Sequence, residues 1–330
     1  MDKDSIRFSP AEQTALKRAD SHKNPRRKSK RNPGRSMFIA LYLAPALILY
    51  AVFVVWPLIQ AFQFSMYRWS GLSNQSTMIG LDNFRALAHD DHFWNALKHN
   101  IWLEIVIGVL VVILSLVVAH ALIAKGSSVK WLRGVILFPQ MMSLIVVAIL
   151  WMFIYNPQFG LLNAIFGALH MPGDQKTWLG KPDTALAAVG IAFAWYAVGF
   201  YAMLFAAGLS GIPAEVNEAA ELDGAVGLQK FFKVTWANLW AMKRIVAVHL
   251  TITVLNVFVL VFIMTSGGPD RATDVLLTYL YERAFTDSNF GYATAIAVAN
   301  FAVAMVLTLI ILKAIGRDPT EARDFKRLKT

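Results

Sequence analysis

Within the long apolar stretches of this sequence very few side chains can carry ions or do acid–base chemistry. Glu104 is the one carboxylate there, and His120 and His249 are the two imidazoles. A charge inside a bilayer costs roughly 2.5–3.5 kcal/mol and is kept for function, most often a proton or ion relay. Three ionisable groups scattered along the chain do not make a relay. Glu104 is read as lying near a membrane interface and snorkelling into water, and the histidines as hydrogen-bonded packing residues. A second group suits other chemistry. Trp195, Tyr196, Phe200 and Tyr201 cluster in one stretch, Thr251, Thr253 and Asn256 in another, and Asn300 in a third. Aromatic faces stack on the C–H faces of sugar rings, while sparse hydroxyls and amides serve their hydroxyl groups. Tyr196, Phe200, Thr253, Asn256 and Asn300 are the candidates for touching a solute. The alternative for the same residues is helix packing, with Asn256 and Asn300 bonding across a bundle.

The elements that would hold these residues are membrane spans. The chain has 330 residues, 57% hydrophobic and 16% charged, with a mean hydropathy of +0.50; soluble domains carry roughly 25% charged residues. A bilayer core about 30 Å thick takes roughly 20 apolar helical residues to cross. Six windows meet that length: 37–67, 101–124, 134–156, 184–212, 245–266 and 291–312. The expected fold is an all-α integral membrane protein of six transmembrane helices. The first window is about twice the length of a signal-peptide core of 7–15 residues, so it is read as a retained span. Zero Cys excludes a disulfide framework, Cys-based metal sites and a thiol nucleophile.

Charge placement sets an orientation. Of the 31 Lys and Arg, 24 fall in residues 1–36, 125–133, 211–244 and 313–330, all on one side of the spans. The positive-inside rule makes that side cytoplasmic, with both termini there. Three parts follow: a basic, largely disordered cytoplasmic tail (1–36) able to touch anionic lipid, a membrane domain (37–316), and a C-terminal cytoplasmic tail (317–330). The basic residues sit where topology needs them and no aromatic-interleaved basic module accompanies them, so nucleic acid is not an expected partner.

No GxxxxGK[ST], HExxH or GxSxG motif occurs. The spans also lack the repeat pair and intramembrane charges of a secondary carrier, and the clustered acids, bases or metal ligands of a membrane enzyme. The chain is read as a conduit, not an enzyme, with no catalytic or metal-binding residues, driven by a partner.

The segment 211–244 carries helix signals: Pro213 at a first-turn position and Glu215, Glu218 and Glu221 beyond it. Gly224 and Gly227 supply a bend, and Phe231, Phe232, Val234 and Trp236 open a second helix. Within it Glu218, Ala219, Ala220, Asp223 and Gly224 read EAAELDGA, which resembles the EAA loop of permease subunits of bacterial ATP-binding-cassette importers. The stretches 195–220, 265–285 (TSGGPDRATDVLLTYLYERAF) and 81–100 are similar to the carbohydrate-uptake branch, which contains the maltose and glycerol-phosphate permeases. The likeness covers roughly 37–316.

That resemblance implies a subunit of the bacterial inner membrane whose loop is a coupling helix docked in a cleft of an ATPase. Its partners would be a second homologous permease, two ATPase subunits and an extracytoplasmic solute-binding protein. ATP and Mg²⁺ would belong to the ATPase, with no cofactor on this chain. Glu218 would offer a carboxylate to a basic partner, Ala219 and Ala220 close approach, and Gly224 the turn. Gly267, Gly268 and Pro269 are read as an ordered outer turn able to help seat the binding protein. One departure stands out: Val234-Thr235-Trp236-Ala237 lacks the usual Leu-Pro, which predicts a smoother run from the loop into the fifth span.

Overall fold

The structure, a computed structural model, describes residues 33–71, 75–123, 128–170 and 177–316. The basic tail up to position 32, the tail 317–330, and Lys125 and Lys176 lie outside the described residues. By internal contacts the chain divides into two units, 1–58 and 59–330.

The first unit holds α1 (Pro33–Tyr50), a π turn (Ala51–Val55) and the start of α2 (Trp56–Phe64). Pro57 has no N–H for the carbonyl four residues back, and just before it the ladder widens, Trp56 donating to the Ala51 carbonyl five back. None of residues 37–58 is buried.

The second unit is helical apart from a ribbon of β1 (Tyr67–Arg68) and β2 (Thr77–Met78), paired antiparallel with Tyr67 opposite Met78. It continues through α3 (Asp82–Ala88) and α4 (Asp91–Trp102), which a π turn (Leu103–Ile107) joins to α5 (Gly108–Ile123). Then come α6 (Ser128–Leu137), α7 (Leu144–Ile154), α8 (Leu161–Ala168) and α9 (Pro182–Ser210). The loop region holds α10 (Ala214–Leu222) and α11 (Gly227–Lys230), a π turn (Phe231–Thr235) and α12 (Trp236–Asn238). The chain ends in α13 (Trp240–Leu255), α14 (Val259–Met264), α15 (Leu276–Tyr281), a π turn (Glu282–Thr286) and α16 (Phe290–Ala314).

Among the described residues five helices are long and apolar enough to cross a membrane: Met37–Phe64, Asp91–Ile123, Pro182–Ser210, Trp240–Met264 and Phe290–Ala314. The third expected window, 134–156, is not one helix. It breaks between Leu137 and Leu144, and its apolar remainder, Leu144–Ile154, has 11 residues, about half the rise that a bilayer core needs. The cause is local: Pro139 opens a 3₁₀ turn, and Ser143 restarts the helix as an N-cap, its Oγ accepting from the Ile145 N–H at 3.3 Å.

The core sits where α5 packs along α9. The buried face of α9 is built from small residues, among them Ala188, Gly190, Ala192, Gly199 and Ala202, which lets backbones approach. At Gly199 a Cβ would lie 2.3 Å from the Ile136 carbonyl oxygen, so only glycine fits there. Ser115, buried in α5, donates to the Val198 carbonyl at 3.1 Å and fixes the register of the pair.

Candidate functional site

The loop between α9 and α13 is built from two short helices at an angle. Pro213 is the N-cap of α10 rather than its first residue, with ψ 141°. The helix stops in a Schellman arrangement: Gly224, at φ +74°, gives its N–H to Glu221 and Ala225 gives its own to Ala220. Lys230 then reaches back to Glu221 at 2.8 Å, bracing the two helices. Hydrogen bonding to that ammonium, and its charge, hold the Glu221 carboxyl below the usual range. Glu218, Ala219, Asp223 and Gly224 are exposed and Ala220 is buried. Around them stand large apolar side chains with almost nothing against them: Leu222 is 90% exposed, Leu228 76%, Val226 70% and Phe232 62%. The loop thus combines polar residues with large, exposed apolar side chains.

The expected smooth run into the fifth span is not what forms. A π turn occupies Phe231–Thr235, and the backbone leaves helical geometry at Leu239 (φ −81°, ψ 13°) before α13 begins. Leu239 is itself buried and anchors this joint.

In the spans, Glu104 does not snorkel. Its Oε1 accepts from Thr251 Oγ1 at 2.6 Å, and its Oε2 is buried without a partner. The π turn at Leu103–Ile107 turns the side chain toward α13, a tie that sequence alone does not disclose. His249 is hydrogen-bonded as expected but is exposed rather than packed away. Tyr201, 2% exposed, brings its hydroxyl to His249 Nδ1 at 3.0 Å. The Phe200 ring lies 5.2 Å from the imidazole, and Thr253 bonds the His249 carbonyl at 2.8 Å. In the tautomer that accepts from Tyr201, Nε2 carries the N–H, leaving a fixed donor beside an aromatic face. Phe200 and Thr253 are thus brought together around His249, which the sequence reads as a packing residue, with Tyr201 of the same aromatic cluster behind it. Tyr196 is half-buried and packs on the core.

Asn256 and Asn300 meet across the bundle, Asn300 Nδ2 donating to Asn256 Oδ1 at 3.4 Å. Asn256 closes α13, and the helix resumes only at Val259. Carbonyls freed by such a break need partners in a bilayer. Asn256 Nδ2 bonds the Ile252 carbonyl at 2.7 Å, and the buried Asn100 donates to Val254 at 3.2 Å while accepting from the Leu276 N–H at 2.9 Å.

Beyond this break the chain ends its spans in a polar lattice. Gly267, at φ +86°, opens the turn with Gly268 and Pro269, the peptide between the last two being cis. Thr273 closes it, donating to the Gly268 carbonyl at 2.7 Å. Arg271 forks onto Glu282 (2.6 and 2.8 Å) and reaches the buried Asp274 at 3.2 Å. Hydrogen bonding to Arg271 holds the Glu282 carboxyl low, whereas burial pushes that of Asp274 up. Asp90 caps α4 through the His92 N–H and accepts the hydroxyls of Tyr279 and Tyr292. Burial opposes its ionisation, yet those bonds keep its carboxyl below the ordinary range. Among the described residues no group of His, Cys, Asp or Glu is placed to hold a metal.

In the second unit, membrane-length helices pack on a small-residue core, with a braced loop at one end and a polar lattice at the other, the build of a polytopic membrane protein. Residues 111–321 match the family described as binding-protein-dependent transport system inner membrane component, and the chain belongs to that family as an ABC transporter permease. It is 38% identical over 278 residues to the probable ABC transporter permease protein YurN of Bacillus subtilis, covering 83% of this chain and 94% of that one. It is 33% identical to the diacetylchitobiose uptake system permease protein NgcF of Streptomyces coelicolor (94% and 90%). Identity to the sulfoquinovosyl glycerol transport system permease protein SmoG of Agrobacterium fabrum is 30% (90% and 96%). The fold is that of a chain in the crystal structure of a bacterial ABC transporter importing the acidic polysaccharide alginate. That match has a TM-score of 0.72 and 21% identity, and covers 86% of this chain and 96% of that one. A chain of the alginate transporter in complex with its pentasaccharide-bound periplasmic protein matches with a TM-score of 0.70.

Proposed function

We propose that this chain forms half of the translocation pathway of an ATP-driven importer for a carbohydrate-type solute and is coupled to a cytoplasmic ATPase through the loop 211–244. Its partners are a second homologous permease, two ATPase subunits that hold ATP and Mg²⁺, and an extracytoplasmic solute-binding protein. The solute class is supported by the relatives, which include permeases of diacetylchitobiose, sulfoquinovosyl glycerol and multiple-sugar systems. The binding protein is supported by the alginate complex with its periplasmic protein.

The single observation that carries the coupling reading is the exposed ridge of Leu222, Val226, Leu228 and Phe232 around Glu218 and Gly224 on a braced loop. Surfaces of that kind stay soluble only when a partner covers them. With the loop cytoplasmic, both termini are cytoplasmic and the broken segment 128–154 completes a sixth crossing. The membrane domain then runs from 37 to 316 between the two tails. Phe200, Thr253, Asn256, Asn300 and Tyr196 line the passage, joined by His249, and Gly267, Gly268 and Pro269 sit at the outer mouth.

The test is purification of the tagged chain in mild detergent with identification of its companions and an ATPase assay. Recovery of a second permease and an ATPase, with hydrolysis stimulated by one sugar-loaded binding protein, is the expected result. A chain that purifies alone and moves solute down an ion gradient overturns the proposal.

A further inference from the structure

We infer that a cavity beside Lys243 binds an anionic phospholipid of the inner leaflet, and that the bound lipid braces the joint between the coupling loop and the fifth span. The cavity, of about 370 Å³, is lined by Phe205, Val246, Ala247 and Ile315 among others, together with Trp236 and Lys243. Phe205 and Val246 are buried and form its packed floor, while Trp236, Lys243 and Ile315 are partly exposed, so it is a recess that opens outward. Its chemistry is that of an amphiphile site: apolar walls, one indole and one ammonium.

The Lys243 ammonium stands 4.5 Å from the centre of the Trp236 ring, and among the described residues no carboxylate pairs with it. A half-buried cation without a counter-ion is met most economically by an anion that arrives with its own apolar body. Free phosphate or a nucleotide would leave the apolar walls unfilled, whereas an acyl chain fills them and a phosphodiester meets the cation. In the topology proposed above this end of the bundle is cytoplasmic, so the leaflet is the inner one.

The location gives the occupant a consequence. Trp236 belongs to α12 and Lys243 to α13, and between them the backbone leaves helical geometry at Leu239. Ile315 follows the last turn of α16. A lipid held by all three touches both sides of the joint and stiffens it. The choice of leaflet and this effect on coupling rest on the proposed function; binding itself does not.

The test uses the assembled complex, reconstituted in nanodiscs of phosphatidylcholine alone or of equal parts phosphatidylcholine and phosphatidylglycerol. Native mass spectrometry after gentle release counts the phosphatidylglycerol retained. Wild type and Lys243→Arg are expected to retain it, Lys243→Gln to retain it about fivefold less, the effect of one cation at an anionic surface, and Ala247→Phe, which fills the cavity, to lose it. Equal retention by Lys243→Gln and wild type, or equal retention of phosphatidylcholine, overturns the site. ATPase stimulation by the loaded binding protein should rise with phosphatidylglycerol in wild type and not in Lys243→Gln. Retention without that rise overturns the bracing while leaving the site.

Discussion

Thr251 Oγ1 donates to Glu104 Oε1 across 2.6 Å, tying the second span to the fifth where the other carboxylate oxygen is buried with no partner. Among the described residues the bond is the one polar tie to a carboxylate that the bilayer would otherwise penalise. Thr251→Val leaves both oxygens unpaired, and a buried acceptor without its donor costs about 1–3 kcal/mol, more when charged. Glu104→Gln removes the charge and keeps an acceptor for Thr251. Thermal unfolding of the purified chain in detergent should show Thr251→Val losing more than Glu104→Gln, with the double variant losing less than the sum. Strictly additive losses would show that the two residues do not act as a unit.

The Tyr201 hydroxyl, buried behind His249, lies 3.0 Å from Nδ1, and in the tautomer that accepts from it Nε2 carries the N–H. In the reconstituted importer, His249→Gln keeps a donor near Nε2 and His249→Leu removes it. Removal of one hydrogen bond to an uncharged group is worth roughly 0.5–1.5 kcal/mol, several-fold to about tenfold in transport. His249→Leu and Tyr201→Phe should both lower sugar-dependent transport while basal ATP hydrolysis holds, and His249→Gln should fall between them and wild type. Identical transport in all four would place this cluster outside the passage.

Why the sequence discloses some of this and hides the rest is a matter of which forces act locally. Apolar length alone marks 101–124, 184–212 and 291–312, because the bilayer imposes it residue by residue. Hydropathy runs unbroken from 134 to 156, so the break is carried only by Pro139 and Ser143, whose effect is geometric. The loop is legible because Gly224 stops a helix by a local rule, and its φ of +74° agrees. Asp90 and Tyr292, bonded across 202 positions, belong to no local pattern. His249 looks like a packing residue until Tyr201 is placed behind it, and Glu104 like an interfacial one until the π turn redirects it.

Asp90 and Glu282 make the polar lattice sensitive to acid. Both carboxyls are held below their ordinary values of 3.8 and 4.5: in Asp90 burial is outweighed by donated hydrogen bonds, and in Glu282 Arg271 dominates. A depressed folded-state value means stability that is full above the unfolded value and lost as pH falls through the folded one. Asp274 has the opposite sign, since burial raises it above 3.8 and its contribution is lost as pH rises. Melting midpoints of the purified chain should therefore drop on acidification below about pH 5. Asp90→Asn and Glu282→Gln should each flatten that drop, and Asp274→Asn should not. A parallel loss in all variants would remove the lattice as its source.

Glu218 and Gly224 test the coupling loop from two sides. Nothing lies within 4 Å of a Cβ placed on Gly224, so the cost of substitution there is conformational rather than a clash. A left-handed backbone costs roughly 1–2 kcal/mol for residues other than Gly, and less for Asn. Gly224→Asn should therefore retain coupling and Gly224→Val should lose it, with both inserted at normal levels. Glu218 is exposed and outside the Glu221–Lys230 brace, so Glu218→Lys reverses a charge at the surface without disturbing the fold. In proteoliposomes Glu218→Lys and Gly224→Val are expected to leave membrane insertion intact and to uncouple hydrolysis from uptake. The ratio of ATP hydrolysed to solute taken up is the readout, and an unchanged ratio in both variants would remove this loop from the coupling path.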